Sequence, residues 1–173
     1  MKFNPQIHHR RSIRLKGYDY ARADLYFITL CCRSKACLFG EIQNAEMLLN
    51  DAGKMVENEW LMLMPRFQNI ELQSYVVMPN HFHGILGIVG ATSVVAQNDE
   101  PEAGPPQVAA PAKTIGDMMA AFKSITTVKY INAVKNSGWQ SFDTKIWQRN
   151  YYEHIIRGET EHLKIVDYIV NNP

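Results

Sequence analysis

The chain has 173 residues, 46% of them hydrophobic and 20% charged, with a formal net charge of +1. This is one domain's length, with the composition of an ordinary soluble globular protein and enough apolar residues for a real core. No apolar run approaches the ~20 residues that span a bilayer. The basic N-terminus also lacks the apolar stretch of a secretory signal, so a cytoplasmic protein without a membrane partner is expected.

The charge is unevenly spread. Residues 1–22 hold Lys2, Arg10, Arg11, Arg14, Lys16 and Arg22 against Asp19 alone, a local +5 that leaves −4 for the rest. Tyr18 and Tyr20 lie at the end of this arm. Cations beside rings able to stack suit a single-stranded nucleic acid; a solvated arm, which would also carry His8 and His9, is the alternative. Tyr26 to Cys32 is β-branched and aromatic and reads as a strand. Cys31, Cys32 and Cys37 form an odd cluster without zinc-finger spacing, and are expected to be reduced structural thiols. Asn50 or Asp51 caps a helix carrying Met55, Trp60 and Leu63, which Pro65 stops near Met64.

Ile70 to Met78 is a second strand, Pro79-Asn80 a turn, and His81 to Val89 the returning strand of a hairpin. Residues 91–113 are rich in Pro and Ala and read as a flexible insert within one domain. From Thr114 a helix runs to about Ser137-Gly138, with Ile115, Met118, Met119, Phe122, Ile125 and Val128 as its apolar face; its methionines read as core filler. Ile146 to Arg157 is strand-like, and Gly158 and Thr160 introduce a last helix. The order β–α–β–β–(insert)–α–β–α predicts an α+β sandwich, an antiparallel sheet with helices packed on it.

Two pieces of this frame carry chemistry. In Pro79-Asn80-His81-Phe82-His83-Gly84 the histidines alternate on a strand, so they point the same way with Cα atoms roughly 7 Å apart. Both imidazoles can then converge on one metal ion while Phe82 packs into the core. On the last helix Leu163, Val166 and Val170 form the expected apolar stripe. Tyr168 and Asn172, at i and i+4, are neighbours well around from it. An amide oxygen there can complete a metal site, and a phenolate can attack an electrophile held by it. A packing tyrosine and a helix-capping asparagine are the alternative reading.

Four blocks together resemble a known family. Tyr75 to Ile85, containing His81-Phe82-His83, resembles the histidine–hydrophobic–histidine motif of single-tyrosine transposases, and more narrowly that of the REP-associated tyrosine transposases. Arg10 to Tyr20, Ile146 to Arg157 and Val166 to Pro173 resemble the other blocks of that family, in the same order. The resemblance implies a ferredoxin- or RRM-like sandwich with His81 and His83 as metal ligands, Asn172 as third ligand and Tyr168 as nucleophile. It implies Mg²⁺ or Mn²⁺ as cofactor and single-stranded or hairpin DNA as partner, and allows a monomer or a homodimer. The activity implied is DNA nicking and joining through a 5′-phosphotyrosine intermediate.

Imidazole ligation favours manganese over magnesium on softness grounds, although magnesium is the more abundant ion. Arg10, Arg11, Arg14, Lys16, Arg149 and Arg157 are the candidates for DNA contact. Tyr151 and Tyr152 are rival nucleophiles, better suited to packing or stacking. His154 and His162 are not expected as ligands. Asn172 precedes Pro173, where the α conformation is disfavoured, which points to a frayed helix end. Two rivals stand beside the main reading: a nucleic-acid-binding protein without transfer activity, and a metallo-hydrolase of small substrates. The basic arm and the lack of a further ligand cluster count against the second.

Overall fold

The computed structural model describes residues 24–89 and 113–172. The basic arm with Arg10, Arg11, Arg14 and Lys16 lies outside the described residues, as does the 91–113 insert apart from Lys113.

Strand β1 (Leu25–Cys31) alternates as a two-faced strand should. Tyr26, Ile28 and Leu30 are fully buried, while Leu25, Phe27, Thr29 and Cys31 are turned to the other side and partly covered. It lies inside a four-stranded sheet with β4 (Ile70–Met78), β5 (His81–Ile88) and β6 (Tyr152–Ile156), in the order β4-β5-β1-β6. All neighbours are antiparallel. With helices α1 (Asp51–Leu61) and α3 (Ile115–Ser137) as the crossovers, this is the split βαβ arrangement of ferredoxin-like sandwiches: the α+β sandwich expected from the element order, in the form the family resemblance implies.

Helices cover both faces. Trp60 of α1 and Phe122 of α3 meet Phe82 of β5 in the main core, with Trp60 and Phe82 ring centroids 4.6 Å apart. Gly84 explains the residue after the histidine pair: a Cβ there would lie 2.7 Å from Cζ2 of Trp60 and 2.9 Å from the Phe82 ring. Bare backbone lets the indole seat against the strand. On the opposite face α4 (Glu159–Val170) packs Ile169 against Ile85 and Ile156, joined by Phe27, Val76, Ile165 and Val166. Buried Glu59 ties the helices of the first face together, pairing with Arg66 of the short helix α2 (Leu63–Arg66) at 2.6 Å and with Lys129 of α3.

Several expectations need correction. The hairpin of β2 (Gly40–Gln43) and β3 (Glu46–Leu49) was not anticipated; its turn places Asn44 and Ala45 at φ of 50° and 63°. Asn50 does cap α1, its side chain accepting from the Gly53 N–H at 2.9 Å. That helix ends at Leu61, however, and Pro65 lies inside α2, in a first turn where its missing N–H costs nothing. Thr114 and Asp117 form a capping box at the start of α3. Val128 is 55% exposed, because the buried face continues through Thr126 and Tyr130 instead. Of the 146–157 stretch only Tyr152–Ile156 is strand; Trp147 makes one isolated bridge to Cys32. Cys31, Cys32 and Cys37 are free thiols. Among the described residues no helix is long and apolar enough to cross a membrane.

Candidate active site

The register of the sheet assembles one row of side chains on the α4 face. His83 of β5 stands directly across from Thr29 of β1, and Thr29 from Tyr152 of β6; Val76 of β4 flanks His83 on the other side. His81, two residues earlier, stands across from Cys31 and Met78. Alternation thus turns both imidazoles to the same face while Phe82 is fully buried on the other. The two rings are 4.7 Å apart, centroid to centroid.

Each histidine has its Nδ1 engaged by a side-chain oxygen. Thr29 Oγ1 lies 2.8 Å from Nδ1 of His83, and Asn80 Oδ1 lies 2.7 Å from Nδ1 of His81. Phe27 stacks on His83 at 5.3 Å with an interplanar angle of 19°. Burial lowers the pKa of both rings; for His83, with the neighbouring His81 adding to it, the value falls to about 4. Both imidazoles are therefore neutral at physiological pH, the form that ligates metal.

Tyr168 projects from α4 onto this row. Its hydroxyl lies 3.2 Å from Nε2 of His83, the ring edge-on to both His83 and Phe27. The phenol is half exposed. Two ties hold the helix over the sheet: His162 Nε2 meets Gln73 Oε1 of β4 at 2.6 Å, and Glu161 takes His154 Nε2 at 2.8 Å and the Arg157 N–H at 2.7 Å. His154 and His162 are thus occupied in anchoring α4.

The helix seats differently from the stripe read in the sequence. Ile169 is buried, with Ile165 and Val166 partly covered, whereas Leu163 and Val170 are 60% and 68% exposed. Asn172 is not a helical neighbour of Tyr168. Helix α4 closes at Val170, and the Asn172 N–H reaches only Ile169 O, at 3.4 Å. The following proline disfavours α geometry there, and Asn171 closes the helix instead, its side chain donating to Asp167.

Tyr152 shares the row with His83, but one strand further on. Neighbouring strands lie about 4.8 Å apart, so its Cα is roughly 10 Å from that of His83. Tyr151 packs partly into the main core. Arg149 lines a groove of about 440 Å³ with Lys123 and Lys145, where Lys123 Nζ takes the carbonyls of Gln148 and Arg149 at 2.6 and 2.9 Å. Arg157 lies at the start of α4, beside Lys164.

Thr29, Asn80 and Phe27 escaped the sequence reading. Asn80 was visible beside His81, but the pairing of Thr29 and Phe27 with His83 depends on strand register, which periodicity does not specify. Among the described residues no three His, Cys, Asp or Glu side chains cluster as a metal cage. Two neutral imidazoles beside a phenol suit an open metal site, one that leaves positions for substrate oxygen and water.

No protein-family model matches the chain. An uncharacterized protein of Haemophilus influenzae (strain Rd) is 45% identical over 179 residues, spanning 99% of this chain and 92% of the relative. Among solved structures, a REP-associated tyrosine transposase bound to a REP hairpin superposes with a TM-score of 0.54, covering 93% of this chain and 73% of that one at 19% identity. At that identity the likeness is one of fold, and it agrees with the fold implied by the four sequence blocks. The chain belongs to one family with the Haemophilus influenzae protein, and its fold is that of the REP-associated tyrosine transposase.

Proposed function

We propose that the protein is a metal-dependent endonuclease and strand transferase acting on single-stranded DNA beside a hairpin, with Tyr168 as nucleophile. The observation that carries this reading is the 3.2 Å approach of the Tyr168 hydroxyl to His83, which joins two segments 85 residues apart in sequence. The sequence blocks and the shared fold support it, as does the hairpin carried by the structural neighbour.

His81 and His83 would hold Mg²⁺ or Mn²⁺ through Nε2, with Asn172 as a further ligand from the segment after α4. When bound, the ion supplies charge neutralisation at a non-bridging phosphate oxygen and polarises phosphorus. The Nε2 lone pair that meets the phenol is also the one a metal takes. With an ion held through that lone pair, the Tyr168 hydroxyl would be released from His83. The phenol passes its proton to solvent water and its oxygen attacks phosphorus. The bond from phosphorus to the 3′ oxygen breaks, and that oxygen leaves as a hydroxyl after taking a proton. The product is a 5′-phosphotyrosine, and attack by a 3′-hydroxyl on that linkage reverses the step without an external energy source. Arg149 and Arg157, with Arg10, Arg11, Arg14 and Lys16 of the arm, are the proposed phosphate contacts.

The test is incubation with a hairpin-tailed oligonucleotide and Mn²⁺, followed by denaturing electrophoresis. Wild type and Tyr152→Phe are expected to give a covalent adduct that Tyr168→Phe loses by at least 100-fold. An adduct that persists in Tyr168→Phe and disappears in Tyr152→Phe refutes the assignment. Normal oligonucleotide binding with no adduct under any divalent metal points instead to a binding protein on the same fold.

A further inference from the structure

Both histidines of the motif share an arrangement that the motif does not contain: the ring nitrogen turned away from Tyr168 in His83, and the same nitrogen in His81, each meets a side-chain oxygen supplied by a different residue. We propose that Thr29 and Asn80 are positioning residues that lock His83 and His81 in the tautomer with the proton on Nδ1, so that both present an unprotonated Nε2. The inference rests on the metal-dependent reading above and deepens it, by naming what makes the pair competent before any ion arrives.

For His81 the geometry leaves little choice. The amide of Asn80 is oriented by its own NH₂ group, which points to the Lys35 carbonyl at 3.4 Å. That leaves Oδ1 toward the ring at 2.7 Å. An amide oxygen only accepts, so Nδ1 must carry the proton and Nε2 the lone pair. For His83 the threonine hydroxyl is able to donate or accept, and the second contact of the ring decides. Nε2 meets the hydroxyl of Tyr168 at 3.2 Å. A phenol is a good donor and a poor acceptor, and an imidazole lone pair is the reverse. The consistent chain of bonds runs from Tyr168 O–H to Nε2, and from Nδ1–H to Thr29 Oγ1. Stacking on Phe27 holds the ring plane in which both bonds are made.

The lock also accounts for placement. Thr29 lies directly across from His83 in the β1–β5 ladder, and Asn80 closes the β4–β5 turn immediately before His81. One oxygen comes from a neighbouring strand and the other from the turn, so neither depends on α4. The His81 tautomer is thus set by the turn alone, whereas that of His83 is set by Thr29 together with the Tyr168 hydroxyl.

The test uses histidine-labelled full-length protein without metal, read near neutral pH by long-range proton–nitrogen correlation, which distinguishes the two neutral tautomers directly. Wild type is expected to show Nδ1-protonated His81 and His83. Tyr168→Phe should leave His81 unchanged, and Thr29→Val should convert His83 to a mixture while Thr29→Ser restores it. In parallel, Mn²⁺ affinity should fall about 10–100-fold in Thr29→Val and in Asn80→Leu, as for other groups that orient metal ligands, and recover in Thr29→Ser. Nε2-protonated histidines in wild type overturn the proposal, as does a Thr29→Val protein with unaltered tautomer and affinity. If the tautomers are as stated but wild type binds no divalent ion, the lock stands and the metal reading fails, so the two are separable.

Discussion

His83 is held on every side: stacked on Phe27, bonded through Nδ1 to Thr29, and covered by Tyr168, with 6% of its surface exposed. Burial first, and the neighbouring His81 second, push its pKa from 6.5 down to about 4. In the unfolded chain the ring takes up a proton near pH 6.5, whereas in the folded chain it resists protonation until about 4. Its contribution to stability is therefore full above pH 6.5 and is lost as pH falls from there through 4. In urea unfolding, wild type should lose more stability than His83→Gln between pH 7 and pH 4.5. Parallel profiles for the two proteins would contradict the burial argument. At this scale the sequence was legible where alternation alone decides a direction, as for His81, Phe82 and His83. Thr29 was not legible, because its partner is set by which strand lies alongside.

Helix α4 shows why the orientation of an element is harder to read than its existence. Leu163, Ile165, Val166, Ile169 and Val170 offer apolar residues around more than one face. The stripe Leu163–Val166–Val170 is the tighter by spacing, yet α4 seats on Ile165, Val166 and Ile169, with ties to Gln73 and His154. The consequence is measurable. Ile169→Ala should cost about 2–4 kcal/mol, the usual range for emptying a buried aliphatic site. Leu163→Ala and Val170→Ala should stay within about 0.5 kcal/mol of wild type, as exposed substitutions do. Equal costs at all three positions in denaturant titrations would mean the helix seats differently. The β2–β3 hairpin was hidden for another reason. Its turn needs two positive-φ residues and uses Asn44-Ala45 rather than an Asn-Gly pair, so the usual local signal was absent. The start of α3 at Thr114 was legible from the apolar spacing that follows it, and the structure adds a capping box between Thr114 and Asp117 there.

At the scale of the whole molecule, the sheet order places the histidine strand β5 next to β1, in the middle of the sandwich, and α4 brings the tyrosine back over it. The main core of Trp60, Phe82 and Phe122 stiffens the far side of that strand, and Glu59, paired with Arg66 and Lys129, holds the covering helices together. The element order was enough to foresee this sandwich, since βαββαβ connections leave few ways to close a sheet. Asn172 was read two ways: helical spacing put it beside Tyr168, while the proline after it pointed to a frayed end, and the helix does end first, at Val170. The central claim is that Tyr168, and no other tyrosine, becomes joined to DNA. Peptide mapping of the nuclease-trimmed, trypsin-digested adduct tests it most directly. A nucleotide remnant on the peptide beginning at Ile165 is the result expected; the same mass on the peptide Asn150–Arg157, which carries Tyr151 and Tyr152, would contradict it.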